Sequence, residues 1–239
     1  MSSENAGSYP LTGIRAATTA HQRALIERAR AALRDDARVL AAWLAGSFAT
    51  GEADAFSDVD LHCCVADDAI EGLRGDGWKA VLGRITPTVM ATTFPGALVG
   101  GYALTPDWTH LDLIFYPRAS IDISMLTGIR PLFDKTGALL PSGPAPRPPI
   151  KGEPYFPAEA VDLYFYFLGN LVTVLGRGEL LLATNGTIAR RDHCLVPLLL
   201  AERGMRRAGG QKRLNPFLSP EQRALLESLP PIVATIDAV

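Results

Sequence analysis

Proline crowds one short stretch of this chain and divides the sequence in two. Seven of the 18 prolines in its 239 residues lie between Pro141 and Pro157, in PSGPAPRPPIKGEPYFP. Proline lacks a backbone N–H and its ring clashes with the preceding helical turn, so this density excludes helix and indicates an extended linker. The sequence therefore predicts a first domain over residues 1–140, a linker over 141–157 and a second domain over 158–239.

The two predicted domains differ in the period of their apolar residues. Before the linker, helix-like and strand-like segments alternate; after it, long apolar segments with helical spacing follow one another. This order favours an α/β (α+β) domain followed by an all-helical domain. Helices are expected over 21–34, 67–85, 161–175, 194–205 and from a capped start at 219–222; strands are expected over 39–45, 58–65, 88–93, 98–105 and 109–116.

Composition narrows the class of protein. With 48% hydrophobic residues and a net charge of −2, the chain is neither disordered as a whole nor a typical nucleic-acid binder. Its three cysteines make a disulfide framework unexpected, and the N-terminus shows no signal peptide, so a cytoplasmic location is expected. No membrane span is expected either, since the apolar stretch from Val161 to Gly176 contains Asp162 and Asn170 and falls short of about 20 apolar residues.

The segment with the strongest chemical signal is GSFATGEADAFSDVDL, residues 46–61. A strand is expected to end at Ala45, and Gly46-Ser47 then open a short helix. Glycine permits close approach of the backbone to a ligand, and exposed N–H groups at a helix start attract anions. Gly46 and Ser47 are therefore the candidate phosphate-binding residues.

Three aspartates form a candidate metal site. Asp58 and Asp60 open the next strand at positions i and i+2, which share a face, and two adjacent carboxylates repel unless a cation lies between them. Asp112 interrupts a later apolar strand and is the best candidate for a third carboxylate, ahead of Asp107 and Asp122. Oxygen ligands of this kind suit Mg²⁺.

Together, Gly46-Ser47, Gly51 and Ser57-Asp58-Val59-Asp60-Leu61 resemble the signature of the DNA polymerase β-type nucleotidyltransferase superfamily. The size of the chain and its helical second half resemble the antibiotic nucleotidyltransferases of the aminoglycoside and lincosamide type. The resemblance implies a mixed sheet in the first domain. It also implies an NTP bound at Gly46 and Ser47, Mg²⁺ held by Asp58, Asp60 and Asp112, and transfer of a nucleoside monophosphate to a hydroxyl group.

The same resemblance implies the partners. The co-substrate is expected to be ATP, the acceptor a small molecule such as an aminoglycoside or lincosamide, and the function antibiotic resistance. Asp112 is expected to bind metal, deprotonate the acceptor, or both. An alternative is a toxin–antitoxin-type enzyme that adenylylates a protein or RNA, and another is a degenerate binding module. Neither nucleic acid nor membrane is expected as a partner, and a homodimer is left open.

Residues outside this core set carry weaker signals. Glu179, after the Arg177-Gly178 break, is the best candidate for an acceptor contact, with Glu159 behind it. The basic residues between Arg190 and Arg213 favour an acceptor less cationic than an aminoglycoside. His62 and His110 flank the candidate carboxylates on the same strand faces, and either could be a metal ligand, although Mg²⁺ sites favour oxygen. Cys63 and Cys64 are expected to be packing thiols.

Overall fold

The computed structural model describes residues 19–122, 126, 128–137, 151–205 and 214–238. The chain divides into two compact units, residues 1–147 and 148–239. Most of the predicted linker lies outside the described residues; its described part, residues 151–157, contains no helix and leads directly into the first helix of the second unit.

A six-stranded mixed sheet forms the centre of the first unit. Its spatial order is β3-β4-β5-β2-β1-β6. The central pair β2 and β5 is parallel, and the other neighbouring pairs are antiparallel. The predicted α/β class with a mixed sheet is confirmed. The strands are β1 (Val39–Leu44), β2 (Val59–Val65), β3 (Met90–Thr93), β4 (Val99–Leu104), β5 (His110–Pro117) and β6 (Arg130–Asp134).

One face of this sheet carries the main hydrophobic core. Helix α1 (Ala20–Asp35) and helix α3 (Gly77–Ile85) supply apolar side chains to it, and α2 (Gly46–Thr50) adds Phe48. Alternation along the strands supplies the facing side, with Leu61 on β2 and Leu113 on β5 both fully buried. The helix predicted over 21–34 is therefore confirmed, since its buried positions recur with helical spacing.

The structure differs from the sequence predictions at three places. The single helix expected over residues 67–85 is two short 3₁₀ turns followed by α3, because three glycines (Gly72, Gly75 and Gly77) interrupt the segment. Strand β6 was missed because Pro131 argues against a strand; the structure accommodates this proline on an edge strand. Helix α5 (Leu180–Arg190) was missed because Thr184, Asn185, Gly186 and Thr187 are weak helix formers.

Among the described residues of the second unit, the regular elements are helices, and one isolated β-bridge joins Lys151 to Met205. Its helices are α4 (Ala158–Gly176), α5 (Leu180–Arg190), α6 (Val196–Glu202) and α7 (Pro220–Ser228). A small core of α6 and the segment before α7 includes Leu199, Leu200 and Phe217. The predicted cap of α7 is confirmed: Ser219 and Gln222 form a capping box.

Helix α4 is long and apolar but little buried. By length and composition alone it is able to cross a membrane, with 6% of its most apolar window buried inside the protein. The helix begins at Ala158, ahead of the predicted apolar stretch. Large side chains such as Phe165, Tyr166 and Val172 are more than 60% exposed. The expectation that this segment spans no membrane therefore stays a prediction.

A π-helical turn, Arg191–Leu195, joins α5 directly to α6. The residues at both junctions keep right-handed helical angles, so the backbone runs on as one interrupted helix. Pro197 explains the interruption, because it donates no N–H and its ring clashes with the carbonyl four residues earlier, at His193. A π turn at that carbonyl widens the helix and relieves the clash.

A buried aspartate ties four elements of the first unit together. Asp36, after α1, accepts hydrogen bonds from the Nε and Nη2 of Arg38 at 3.0 and 2.8 Å and a further bond from Arg84 of α3. Its own carbonyl accepts from Lys135, beyond β6, at 2.8 Å. The hydrogen bonds from Arg38, supported by Arg84, hold the pKa of Asp36 far below its usual range.

Asp36 is expected to make folding acid-sensitive. Because its folded-state pKa is lowered, its stabilisation is complete above about pH 5 and is lost as the pH falls toward that lowered pKa. Asp36→Asn should reduce the free energy of unfolding at pH 7 by about 1–3 kcal/mol and flatten its decline in acid. Denaturant unfolding between pH 3 and pH 7 measures both. The exposed neighbour Asp35→Asn is the matched control, and equal acid dependence of the two variants would contradict the assignment.

Candidate active site

The turn between β1 and α2 brings backbone against a carboxylate. The N–H of Ala45 donates to the carbonyl of Asp60 at 3.0 Å, which extends the β1–β2 pairing to the start of α2. Gly46 follows with a φ of +58°, and a Cβ placed on it would lie 2.0 Å from Oδ2 of Asp60. Only glycine fits both the backbone angle and the space. The Asp60 carboxylate therefore rests on the first residue of α2.

The parallel pairing of β2 and β5 sets two of the predicted aspartates side by side. Asp60 and Asp112 are register partners, so their side chains leave the same face of the sheet from neighbouring strands about 5 Å apart. Both are half-buried. Asp58 lies one residue before β2, at the preceding position of the same parity as Asp60.

Side-chain hydrogen bonds shape the loop that delivers Asp58. Asp54 and Ser57 bond to each other, with Ser57 Oγ accepting from the Asp54 N–H at 2.9 Å and donating to its carboxylate at 3.1 Å. From α1, the buried Gln22 donates to the carbonyl of Ala55 at 2.8 Å. Sequence reasoning missed Gln22; the available signal was a polar residue on the apolar stripe of α1, at the position that precedes Leu25 by three.

These residues fit a divalent cation with oxygen ligands. Within the described ranges, no group of three or more His, Cys, Asp or Glu side chains is arranged to hold a metal ion. Asp60 and Asp112 nevertheless form a register pair of carboxylates beside a glycine that leaves room for one of them. Mg²⁺ commonly takes one or two carboxylates and completes its shell with water and phosphate oxygens. The donor set thus suits an ion shared with a phosphorylated substrate.

An aromatic layer lies beside the aspartates on the same sheet face. The rings of Trp43, His62 and Tyr116 are neighbours, with His62 and Tyr116 stacked at 5.7 Å between centroids. The Tyr116 hydroxyl and His62 Nδ1 share a hydrogen bond of 3.1 Å. Burial lowers the pKa of His62 to about 4, so the ring is neutral near pH 7. His62 therefore packs in this layer as a neutral ring, a role that the sequence alone did not assign to it.

Of the other candidate residues, Tyr102 is paired with Asp112 in the sheet, whereas Asp107 and Asp122 lie outside the strand. Tyr102 of β4 is the register partner of Asp112 on its second side and is 43% exposed, a neighbour that sequence reasoning missed. Asp107 instead accepts hydrogen bonds from Thr105 and Thr109 within its own turn, and Asp122 lies beyond the strand. Register thus favours Asp112 over both rivals.

Three further predicted residues lie elsewhere. Cys63 is buried in the main core, and Cys64 packs with Trp43 and Leu126 on the opposite face, so both are packing thiols. Glu179 belongs to the second unit, where it is exposed and occupies the residue position just before α5. Its role as an acceptor contact stays a prediction, as does that of Glu159 in the first turn of α4.

Comparison with known proteins identifies the segment that holds most of these residues. The sequence model of the nucleotidyltransferase domain matches residues 26–90, from α1 to the start of β3. The chain is therefore similar to the nucleotidyltransferase domain family over residues 26–90. The matched segment contains Gly46, Ser47, Asp58 and Asp60, and the chain is an enzyme of the transferase class. Nucleotidyltransferases of this family generally use an NTP and a divalent metal.

No curated protein matches the chain. Among solved structures, an aminoglycoside 6-adenyltransferase from Bacillus subtilis is similar at 17% sequence identity. The alignment covers 86% of this chain and 77% of that one, with a TM-score of 0.34. The nucleotidyltransferase assignment therefore rests on the matched segment and on the arrangement of its residues.

Replacing Gly46 should disturb the nucleotidyltransferase domain more than replacing Gly51. Both have positive φ, but the Cβ of an alanine at 51 meets nothing within 4 Å, whereas at 46 it overlaps Asp60. Gly51→Ala should cost about 1–2 kcal/mol of backbone strain, and Gly46→Ala about 1–3 kcal/mol more. Denaturant unfolding gives both values.

A double variant separates the overlap from backbone strain. Asp60→Ala removes the overlapping carboxylate, so Gly46→Ala should cost about as much in that background as Gly51→Ala does in the wild type. If Gly46→Ala costs the same with and without the Asp60 carboxylate, the close approach is not the source of the difference.

Proposed function

We propose that this chain is a metal-dependent adenylyltransferase that moves AMP from ATP to a hydroxyl group of a small molecule, such as an aminoglycoside or lincosamide antibiotic. One arrangement supports this proposal. The Asp60 carboxylate lies against the turn at Gly46, and Asp112 is the register partner of Asp60 on the neighbouring strand. The proposal includes a cytoplasmic location, which agrees with three buried free thiols.

Each residue then has a task in the transfer. Backbone N–H groups at Gly46 and the hydroxyl of Ser47 bind the triphosphate. Asp58 and Asp60, with Asp112, would hold the divalent ion, which when bound neutralises phosphate charge. Asp112 accepts the proton of the acceptor hydroxyl. The hydroxyl oxygen forms a bond to the α-phosphorus as the bond from that phosphorus to the bridging oxygen breaks, and pyrophosphate leaves with the electron pair.

The acceptor is assigned to the second unit. The nucleotidyltransferase domain uses its turn at Gly46 and its aspartates for nucleotide and metal, which leaves the recognition of a varied acceptor to other surfaces. Glu179 is the proposed contact, because it is exposed and lies where the chain restarts as α5 after Gly178, whose φ is +74°. A carboxylate there would hydrogen-bond acceptor hydroxyl or amino groups.

The aspartates provide the direct test. Asp58→Asn, Asp60→Asn and Asp112→Asn should each lower transfer by at least about two to three orders of magnitude, since each removes charge that the transition state requires. Pyrophosphate release with Mg-ATP and a panel of aminoglycosides and lincosamides measures the rate, and circular dichroism checks the fold. Asp122→Asn, at the exposed rival position, is the control. Unchanged pyrophosphate release by the Asp60 variant would overturn the proposal.

Ser47 tests the phosphate site separately from the metal site. Ser47→Ala removes one hydrogen bond to a charged group, worth about 1.5–3 kcal/mol, and should weaken ATP binding or slow transfer by about 10- to 100-fold. The KM for the acceptor should stay unchanged. Thr50→Ala in the same helix is the matched control, because the Thr50 hydroxyl donates to the Ser47 carbonyl and is not assigned to phosphate. An effect confined to the acceptor KM would place the phosphate site elsewhere.

A further inference from the structure

The second unit contains a cavity of about 400 Å³ that the proposed transfer does not use. Side chains of α4, α5, the π turn, α6 and the residue after α7 line it, and all of them belong to the second unit. The volume falls within the range of small-molecule sites, roughly 300–1,000 Å³. Tyr164 on its α4 side is 42% exposed, so the cavity reaches solvent there.

The lining is apolar with a cationic side. Half of its described lining residues are leucines, contributed by α4, the π turn, α6 and the residue after α7, and none of the described lining residues is acidic. Arg190 and Arg191 line it together with Thr187. Arg190 donates to the Thr187 hydroxyl, and Arg191 donates to the carbonyl of Pro230, so both guanidinium groups are held in place by neighbours. An arginine has five donors, so the bond to Pro230 leaves Arg191 with donor capacity beyond it.

The two arginines of the cavity lie at the start of the π turn. Arg191 begins the turn and Arg190 precedes it, while Cys194, 1% exposed, lines the cavity from within it. A π turn changes the direction of the side chains that follow it, and such turns recur at functional sites. Arg191 and Cys194 lie within the turn and line the cavity together with Arg190, the last residue of α5.

We propose that this cavity is a binding site for a small organic anion with an apolar body, held by Arg190 and Arg191 at its charged end and by the leucines along its length. A carboxylate or phosphate pairs with a guanidinium through charge-assisted hydrogen bonds, and the apolar body gains from burial. The site belongs to the second unit alone and does not depend on nucleotide, on metal or on the aspartates of the first.

Three naphthalenes of equal size test the proposal on the full-length protein: 1-naphthoate, 1-naphthalenemethanol and 1-naphthylmethylammonium. Calorimetric titration should give 1-naphthoate the tightest binding and the cation the weakest, with about tenfold or more between them because only the anion pairs with the arginines. Asp60→Asn protein should bind 1-naphthoate as the wild type does, which separates this result from that of the transfer assay. Absent binding of 1-naphthoate, or equal binding of anion and cation, would overturn the proposal.

Variants locate the site. Arg190→Gln should weaken 1-naphthoate about tenfold or more while changing the neutral alcohol less than about twofold, because only the charged contact is lost. Arg177→Gln, which removes an exposed arginine at the end of α4, is the matched control. If the two variants weaken 1-naphthoate equally, the anion is not bound at Arg190.

Cys194 gives a readout that needs no substitution. Burial raises the pKa of its thiol, so alkylation by N-ethylmaleimide should be slow and should be followed by peptide mass spectrometry. Saturating 1-naphthoate should slow modification of Cys194 several-fold and leave Cys63 and Cys64 of the first unit unchanged. Equal protection of all three thiols, or none at Cys194, would contradict binding in this cavity.

Discussion

The parallel pairing of β2 with β5 is the constraint on which the candidate active site depends. Every other neighbouring pair in the sheet is antiparallel, and this one pair sets Asp60 opposite Asp112. A slip of one residue would turn one of these carboxylates to the other face, into the main core, where a charge is costly. The alternation that buries Leu61 and Leu113 therefore also fixes the aspartates, and core packing holds the site in register.

The two faces of the sheet have different roles: one carries the main hydrophobic core, and the other carries the candidate active-site aspartates. One face is covered by α1 and α3 and carries the largest apolar core. The other carries Asp60, Asp112 and the layer of Trp43, His62 and Tyr116, and its smaller core packs around Trp43 and Cys64. Gln22 links the two sides, since it is rooted in the core helix and bonds to the loop that leads to Asp58. The site thus rests on elements whose positions the main core already determines.

Much of this arrangement could be predicted from local sequence. Apolar runs, turn residues and period-2 alternation located five of the six strands, and the alternation put Asp60 on the polar side of its own. The glycine of the Gly46-Ser47 turn was assigned to close approach of the backbone to a ligand. What local pattern does not contain is which strands pair, so the contact of Asp60 with Gly46 and the register of Asp112 required the fold. Tyr102 was missed for the same reason, because its importance lies only in being opposite Asp112.

The second unit also shows a limit of local sequence patterns, because a proline there alters the helix that the apolar spacing predicts. Read locally, the apolar run from Cys194 onward predicts a helix that starts there. In the structure the helix starts at Leu180. Before Pro197 the helix does not end but widens into a π turn. An uninterrupted α-helix would require Pro197 to donate a hydrogen bond and to fit against the His193 carbonyl, and it does neither. The wider π turn at 191–195 satisfies that steric demand, and three of its residues, Arg191, Cys194 and Leu195, line the cavity of the second unit.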